Sequence, residues 1–322
     1  MKNTIMRKAA GLIIFSFLIG LTLSGQDRNE LIRVYNLGAK AAQTKVDSAI
    51  IYFENAISIA DKLGESANDI KQNATKVLPG LYLKSASAMY TAKKPDADVI
   101  RTAKKAVESA EKYNNPSVKE NAAKILHQAY NRMGTEYFRN KDYDKALATF
   151  DTVLSINPDY ITALYNKALI YRTQGNSDAL EQTVDQYIAK LPAGDEKAAQ
   201  ASKMALEYFR AAGSKANQAD QLDEALNLLN KAAKYGDDKD LDYFFADVYN
   251  KQKSFDKGEE YAKKGLSLET GTADAKAKFY FQLALAQEGK GQKTEACESF
   301  KNAMYGAFAE PSKAKRTNLK CQ

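Results

Sequence analysis

The chain has 322 residues, 44% of them apolar, with 47 Lys and Arg against 40 Asp and Glu, 17 Gly, 6 Pro, 19 Tyr, no Trp and a single His. This composition is globular and favours long helices; it argues against sandwiches, barrels and glycine-rich phosphate loops. The lone His127 also removes most metal sites and most histidine-based catalysis.

Residues 1–25 read as an export signal. Lys2, Arg7 and Lys8 precede the apolar run LIIFSFLIGLTL from Leu12 to Leu23, and the small Ser24 and Gly25 lead into Gln26. The run is shorter than the roughly 18–20 residues of a membrane span, so a cleaved signal is expected, with an uncleaved anchor as the alternative. No Cys follows it closely, so a lipid anchor has no acceptor. The mature chain is therefore expected to be periplasmic or secreted and not an integral membrane protein. Cleavage lowers the net charge from +7 to +4, since the segment holds three basic and no acidic residues. Lys313, Lys315, Arg316 and Lys320 account for that excess. Residues 26–310 are neutral and lack the basic footprint that nucleic-acid binding requires.

The remaining chain is built from similar pieces. Near its start, Gly38, Ala49 and Phe53 place a small residue before a small–large pair. The next piece, 66–114, has Ala103 and Val107, and Pro79 inside its first helical pattern predicts a kink or a split helix. In HQAYNRMGTEYFRNKDYDKALATFDTVLSINPDY, from His127 to Tyr160, Tyr130, Met133, Gly134 and Tyr137 keep a W-x2-L-G-x2-Y spacing. Ala146 and Phe150 supply an A-x3-F pair, and Pro158 closes the unit. Ala168, Tyr171 and Pro192 repeat three of these places 34 residues on, with Leu180 and Val184 for the A-x3-F pair. Between Ala205 and Ala225 the step grows to 20 residues, so extra residues around Gly213 to Leu222 are expected to lengthen that turn. Ala246, Tyr249 and Gly258 mark another unit, and Leu283, Ala284, Ala296, Phe300 and Ala303 the last.

The 127–160 stretch resembles the tetratricopeptide repeat. Its pattern has a physical basis: small residues sit where two antiparallel helices cross, and bulky ones fill the spaces beside them. Seven helix pairs are predicted, starting near 28, 66, 117, 159, 195, 238 and 272. The resemblance implies an all-α solenoid over 26–309, a right-handed superhelix of antiparallel helix pairs, followed by a basic capping helix or tail at 310–322. An interruption near 66–114 or 213–222 is the alternative.

No nucleotide, zinc-protease, serine-hydrolase or C-x-x-C motif occurs. His127 reads as a surface or half-buried helical residue. Acidic residues such as Glu259 and Glu260 beside Lys263 and Lys264 read as solvated helix-face charges. No enzyme, cofactor or metal is expected. The family resemblance places the binding surface on a concave face lined by the first helix of each pair. Carried onto this chain, it gives Asn131, Phe138, Tyr165, Arg172, Tyr243, Asp247 and Phe281 as partner-contacting residues, with Gln128, Thr135, Thr162, Leu169, Asn250, Lys278 and Glu288 nearby. Tyr165, Tyr243 and Phe281 occupy one repeat position and are expected to project as aromatic anchors; packing between neighbouring repeats is the other reading.

Cys297 and Cys321 are expected to pair, because export places them in an oxidising compartment and both stand equally far from residue 309, the centre of a helix return. The expected function is a non-catalytic protein- or peptide-binding scaffold of the cell envelope. A permanent structural subunit of an envelope assembly and a carbohydrate-binding module are the alternatives.

Overall fold

The computed structural model describes residues 27–322; the expected signal at 1–25 lies outside them. Of the described residues, 83% are helical, and no strand occurs among them. The helices are α1 (27–41), α2 (Val46–Leu63), α3 (Asn68–Thr91), α4 (Asp96–Lys112), α5 (Pro116–Arg139), α6 (Tyr143–Ile156), α7 (Ile161–Gln174), α8 (Ser177–Ala189), α9 (Glu196–Gln218), α10 (Leu222–Tyr235), α11 (Lys239–Lys251), α12 (Phe255–Leu268), α13 (Ala273–Gly289), α14 (Lys293–Asn302) and α15 (Ala309–Asn318). They form seven consecutive helical hairpins followed by α15. No described helix is long and apolar enough to cross a membrane.

Two compact units divide the chain after Pro158. The first holds three pairs, with α3 packed on both α2 and α4. The second holds four pairs and α15, with α9 packed on α8 and α10. The stack therefore runs unbroken through 66–114 and through 213–222, and the division falls elsewhere than either expected interruption.

In three of the pairs a small residue at the crossing faces a large one. A Cβ on Gly134 would lie 2.8 Å from the ring of Phe150, which is fully buried. A Cβ on Gly38 would meet the ring of Phe53 at 3.3 Å. In α9 the corresponding residue is Gly213, whose Cβ would lie 2.8 Å from Leu229 and 3.2 Å from the Ala225 carbonyl. This corrects the expectation of a lengthened turn. Gly213 stands twelve residues before Ala225, the same step as from Gly134 to Ala146, and the extra length lies at the N-terminal end of α9.

The turns confirm that register. After α5, α9, α11 and α13 the chain passes through a left-handed residue, Lys141, Asp220, Lys253 or Gly291. In each case the next amide donates back to a carbonyl in the last turn of the helix, as from Asp142 to Tyr137 at 2.9 Å and from Gln221 to Ala216 at 3.0 Å. A non-glycine residue in this conformation carries a steric cost, yet three of the four turns accept it.

Pro79 neither splits α3 nor shortens it. The helix runs unbroken from Asn68 to Thr91, with the Pro79 ring buried. Packing on α2 and α4 outweighs the lost hydrogen bond. At the other end of the chain, α15 packs on α14, and Cys297 and Cys321 form a disulfide with their Cα atoms 5.7 Å apart. Arg316 donates to the Cys297 carbonyl, and Lys315 donates to Glu288 at 2.7 Å. Leu319 packs against the cluster around the buried Phe300, and Phe308 meets Phe281 at 5.3 Å.

Gly213→Ala is expected to destabilise the protein by about 1–2 kcal/mol, since collision with the buried Leu229 outweighs the roughly 1 kcal/mol of helix propensity gained. Gly80→Ala, with nothing within 4 Å of the new Cβ, is expected to stabilise by about 0.5–1 kcal/mol. Urea unfolding of the two variants reads the opposite signs directly.

Candidate binding face of the first helices

The first helix of each pair carries every residue assigned to the binding face. None of Asn131, Phe138, Tyr165, Tyr243, Asp247 and Phe281 is fully buried, and Arg172 is exposed. In the first unit, the Asn131 carbonyl accepts from the Thr135 hydroxyl at 2.7 Å. Phe138 lies against Tyr143 across the turn, ring centroids 6.0 Å apart.

The three aromatics of equal repeat position do not form one exposed row. Tyr165 leans on Tyr187 of α8 at 5.4 Å. Phe281 turns toward α14 and the C-terminal turn, meeting Phe300 edge-on at 5.7 Å and Phe308 at 5.3 Å. Tyr243 reaches the next first helix instead, packing edge-on against Phe279 at 6.1 Å under the Lys278 ammonium at 5.3 Å. Burial raises its phenol pKa above the ordinary tyrosine value, and the nearby Asp247 adds to the rise. Equal sequence position fixes the helix face but not the ring direction, which follows whichever neighbour offers a gap.

Asp247 sits in a polar network spanning α9, α11 and α13. One carboxylate oxygen accepts from Asn217 Nδ2 at 2.5 Å and the other from Gln282 Nε2 at 2.9 Å. Lys251 donates to Asn217 Oδ1 at 2.8 Å and pairs with Asp247 at 3.5 Å. Asn250 Nδ2 donates to both the carbonyl and the side-chain oxygen of Gln282, each at 2.9 Å. Asn217, Asn250 and Gln282 are buried. Gly258 makes room for Asn250: a Cβ there would lie 2.1 Å from Asn250 Oδ1. Sequence reasoning found Asp247 and Asn250 but missed Asn217 and Gln282. Their signal was an amide side chain at a position where the helical period calls for an apolar one.

A second set of charges surrounds the start of α11, where the sequence reads DDKDLD from Asp237 to Asp242. Asp238 caps the helix, accepting from the Leu241 amide at 2.7 Å, and also pairs with Arg210 of α9. Asp240 accepts from Lys278 of α13 at 2.5 Å, and Lys239 pairs with Glu269 at 2.7 Å. Lys264 of α12 pairs with Asp237 at 2.5 Å and with Asp242 at 3.0 Å. Lys263 pairs with Glu259 at 2.6 Å, but the Glu259 side chain is largely covered and also pairs with Lys290 at 2.8 Å, and Lys264 departs further from the solvated reading because Asp242 is fully buried. Oδ2 of Asp242 finds no hydrogen-bond partner among the described residues. Burial pushes this carboxyl up to about 6, Lys264 pulls it back, and Asp237 and Asp238 add to the rise.

His127 is buried rather than on the surface, and that burial lowers its pKa, favouring the neutral ring. Among the described residues, no three His, Cys, Asp or Glu side chains stand close enough to hold a metal ion.

Two measurements follow from this geometry. Folded Asp242 binds its proton more tightly than the unfolded carboxyl, so stability falls as pH rises from about 4 to about 6 and stays reduced above that window. Asp242→Asn should therefore stabilise the protein by about 1–3 kcal/mol at neutral pH, with the gain vanishing near pH 4, as read by denaturant unfolding across that range. Phe281→Ala should cost about 2–4 kcal/mol through the cavity left beside Phe300 and Phe308, while Arg172→Ala should shift stability by less than about 0.5 kcal/mol; thermal melts distinguish the two.

The tetratricopeptide-repeat family profile matches residues 127–160 and again residues 277–305. No curated protein matches the sequence. Among solved structures, MamA is similar at 21% identity over 61% of this chain and 96% of its own, with a TM-score of 0.35. YrrB, described as a TPR protein with an unusual peptide-binding site, shares 17% over 58% of this chain and 91% of its own, TM-score 0.35. A thermophilic TPR protein from Thermus thermophilus shares 21% over 61% of this chain and 100% of its own, TM-score 0.28. Likeness at this level transfers no partner and no site. The chain therefore carries tetratricopeptide repeats at residues 127–160 and 277–305, within a described region built of successive helix pairs.

Proposed function

We propose that this protein is a non-catalytic scaffold that binds a protein or peptide partner in the cell envelope, using the face of its first helices. The observation that carries this reading is that successive first helices present half-exposed aromatic and polar side chains, Asn131 and Phe138 in one unit and Tyr165, Arg172, Tyr243 and Asp247 in the other. Aromatic groups with one wet edge supply contact area at low entropic cost. Phe281 contributes by supporting the C-terminal end of that face. Two features favour work outside the cytoplasm: the signal-like residues 1–25, and the Cys297–Cys321 disulfide, a bond that persists in oxidising compartments.

Affinity purification of the tagged protein from a native envelope fraction, followed by mass spectrometry, tests this reading. A partner should be recovered at low salt, released by high salt and weakened by combining Tyr243→Ala with Arg172→Ala. A stoichiometric partner resistant to high salt would instead assign a permanent structural subunit. Recovery of no protein, or N-terminal sequencing that finds Met1 on exported material, would count against the scaffold and the cleaved signal respectively.

A further inference from the structure

The C-terminal helix α15 is poorly equipped to stay in place by itself. Its sequence, AEPSKAKRTN, contains no apolar side chain larger than those of Ala and Pro, and the one residue it buries fully is Ser312. The Ser312 hydroxyl finds no hydrogen-bond partner among the described residues, so docking the helix strands a polar group away from water, which opposes the docking. At 10 residues the helix is also shorter than the roughly 12–15 at which an isolated helix becomes even marginally stable in water. What fastens it to α14 is the Cys297–Cys321 disulfide, assisted by the half-exposed Lys315–Glu288 pair, the Arg316 bond to the Cys297 carbonyl and Leu319 beside the Phe300 cluster. Surface pairs of this kind add little holding strength.

The disulfide also stands where a reagent can meet it. Both cysteines are half-buried and line a cleft of about 720 Å³ between α14 and residues 316–322. This cleft lies on the second helix of the last pair, away from the first-helix face. Lys293, Lys301, Arg316 and Lys320 line it too, against one acid, Glu298, which stands 3.8 Å from Lys301. An excess of cations around a disulfide stabilises a thiolate there, whether the sulfur that attacks or the one that is expelled.

We propose that the Cys297–Cys321 bridge is a site of thiol–disulfide exchange with a dithiol, and that its reduction releases α15 from the last helix pair. One thiolate of the dithiol attacks a bridge sulfur, forms a mixed disulfide with it and expels the other cysteine as a thiolate. The second thiolate of the dithiol then attacks the mixed disulfide, closes the reductant into its own disulfide and leaves Cys297 and Cys321 both reduced. Two electrons pass from the dithiol to the bridge, and the two protons that the dithiol gives up are taken by the cysteines. Once the bridge is open, surface pairs and the Leu319 contact alone oppose the return of the Ser312 hydroxyl to water. The helix leaves, and the side of α14 around Phe300 is uncovered. Re-oxidation restores the cap, so the redox state of the surroundings sets whether the C-terminal end of the stack is closed.

Hydrogen exchange of the full chain with and without dithiothreitol, read by mass spectrometry, tests this mechanism. Thiol labelling at neutral pH without denaturant should find both cysteines after dithiothreitol treatment and neither before it. Amides of residues 309–318 should exchange at least about tenfold faster in the reduced protein, with those of 127–160 unchanged. The variant carrying Cys297→Ser and Cys321→Ser should show the same fast exchange with no reductant present. Combining Lys293→Glu with Lys320→Glu should slow reduction by about threefold or more, while exchange of the oxidised helix stays as in the parent. Reduction that requires denaturant, or α15 amides as protected without the bridge as with it, would overturn the release and leave the bridge a fixed staple. A reduction rate untouched by the two charge reversals would overturn the part given to the cleft.

Discussion

The structure depends on one constraint, the close approach of two helix backbones within each pair. That approach is possible only where one helix presents almost no side chain and the other presents a large one sixteen residues later, as Gly134 does toward Phe150 and Gly213 toward Leu229. Interdigitation of this kind recovers dispersion energy across a short interhelical distance. In α5–α6 and α9–α10 it also fixes the length of the turn, because twelve residues separate the small residue of the first helix from that of the second, and the intervening chain passes through one left-handed residue. The remaining features of the pairs, helix lengths included, vary around this fixed crossing. Helices α3, α5 and α9 extend well beyond α7 or α11 at their N-terminal ends, where no crossing has to be met.

Much of this was legible in the sequence, because a steric requirement leaves a residue type at a fixed offset. The pairing of Gly134 with Ala146 and Phe150 needed no structure. Gly213 was misassigned, with Ala205 taken as the crossing residue, since alanine satisfies the same requirement and α9 offers several. Pro79 does not split α3 for a related reason: its local cost is visible in sequence, whereas the packing that holds the helix in one piece is not. The disulfide could be placed from register, because equal distances from a turn are a property of chain position alone.

The binding face was less legible. Sequence position assigns a residue to a helix face, but the direction of a ring depends on which neighbour leaves space, so Tyr243 packs toward α13 and Phe281 toward α14. Hydrogen-bond networks are harder still, because Asn217, Asp247 and Gln282 come from three separate helices and nothing local to any of them announces the others. The buried Asp242 was invisible for the same reason. Its environment is made by Lys264 and by the acidic run at the start of its own helix, and only their juxtaposition raises its proton affinity.

The two units differ in how much of their first-helix polarity is already spent. Along α9, α11 and α13, Asn217, Asp247, Asn250, Lys251 and Gln282 are hydrogen-bonded to one another, so a ligand seeking those groups must first break bonds that are made in the free protein. Such exchange yields little net affinity, because each broken bond leaves a buried polar atom to be paired again. Between α3 and α5 the polar side chains around Gly80 are not committed to one another, and the space above Gly80 is open. On this argument the hydrogen-bonded network holds three helix pairs in register, and its groups are costlier to enlist in a contact than polar side chains that are not bonded to one another.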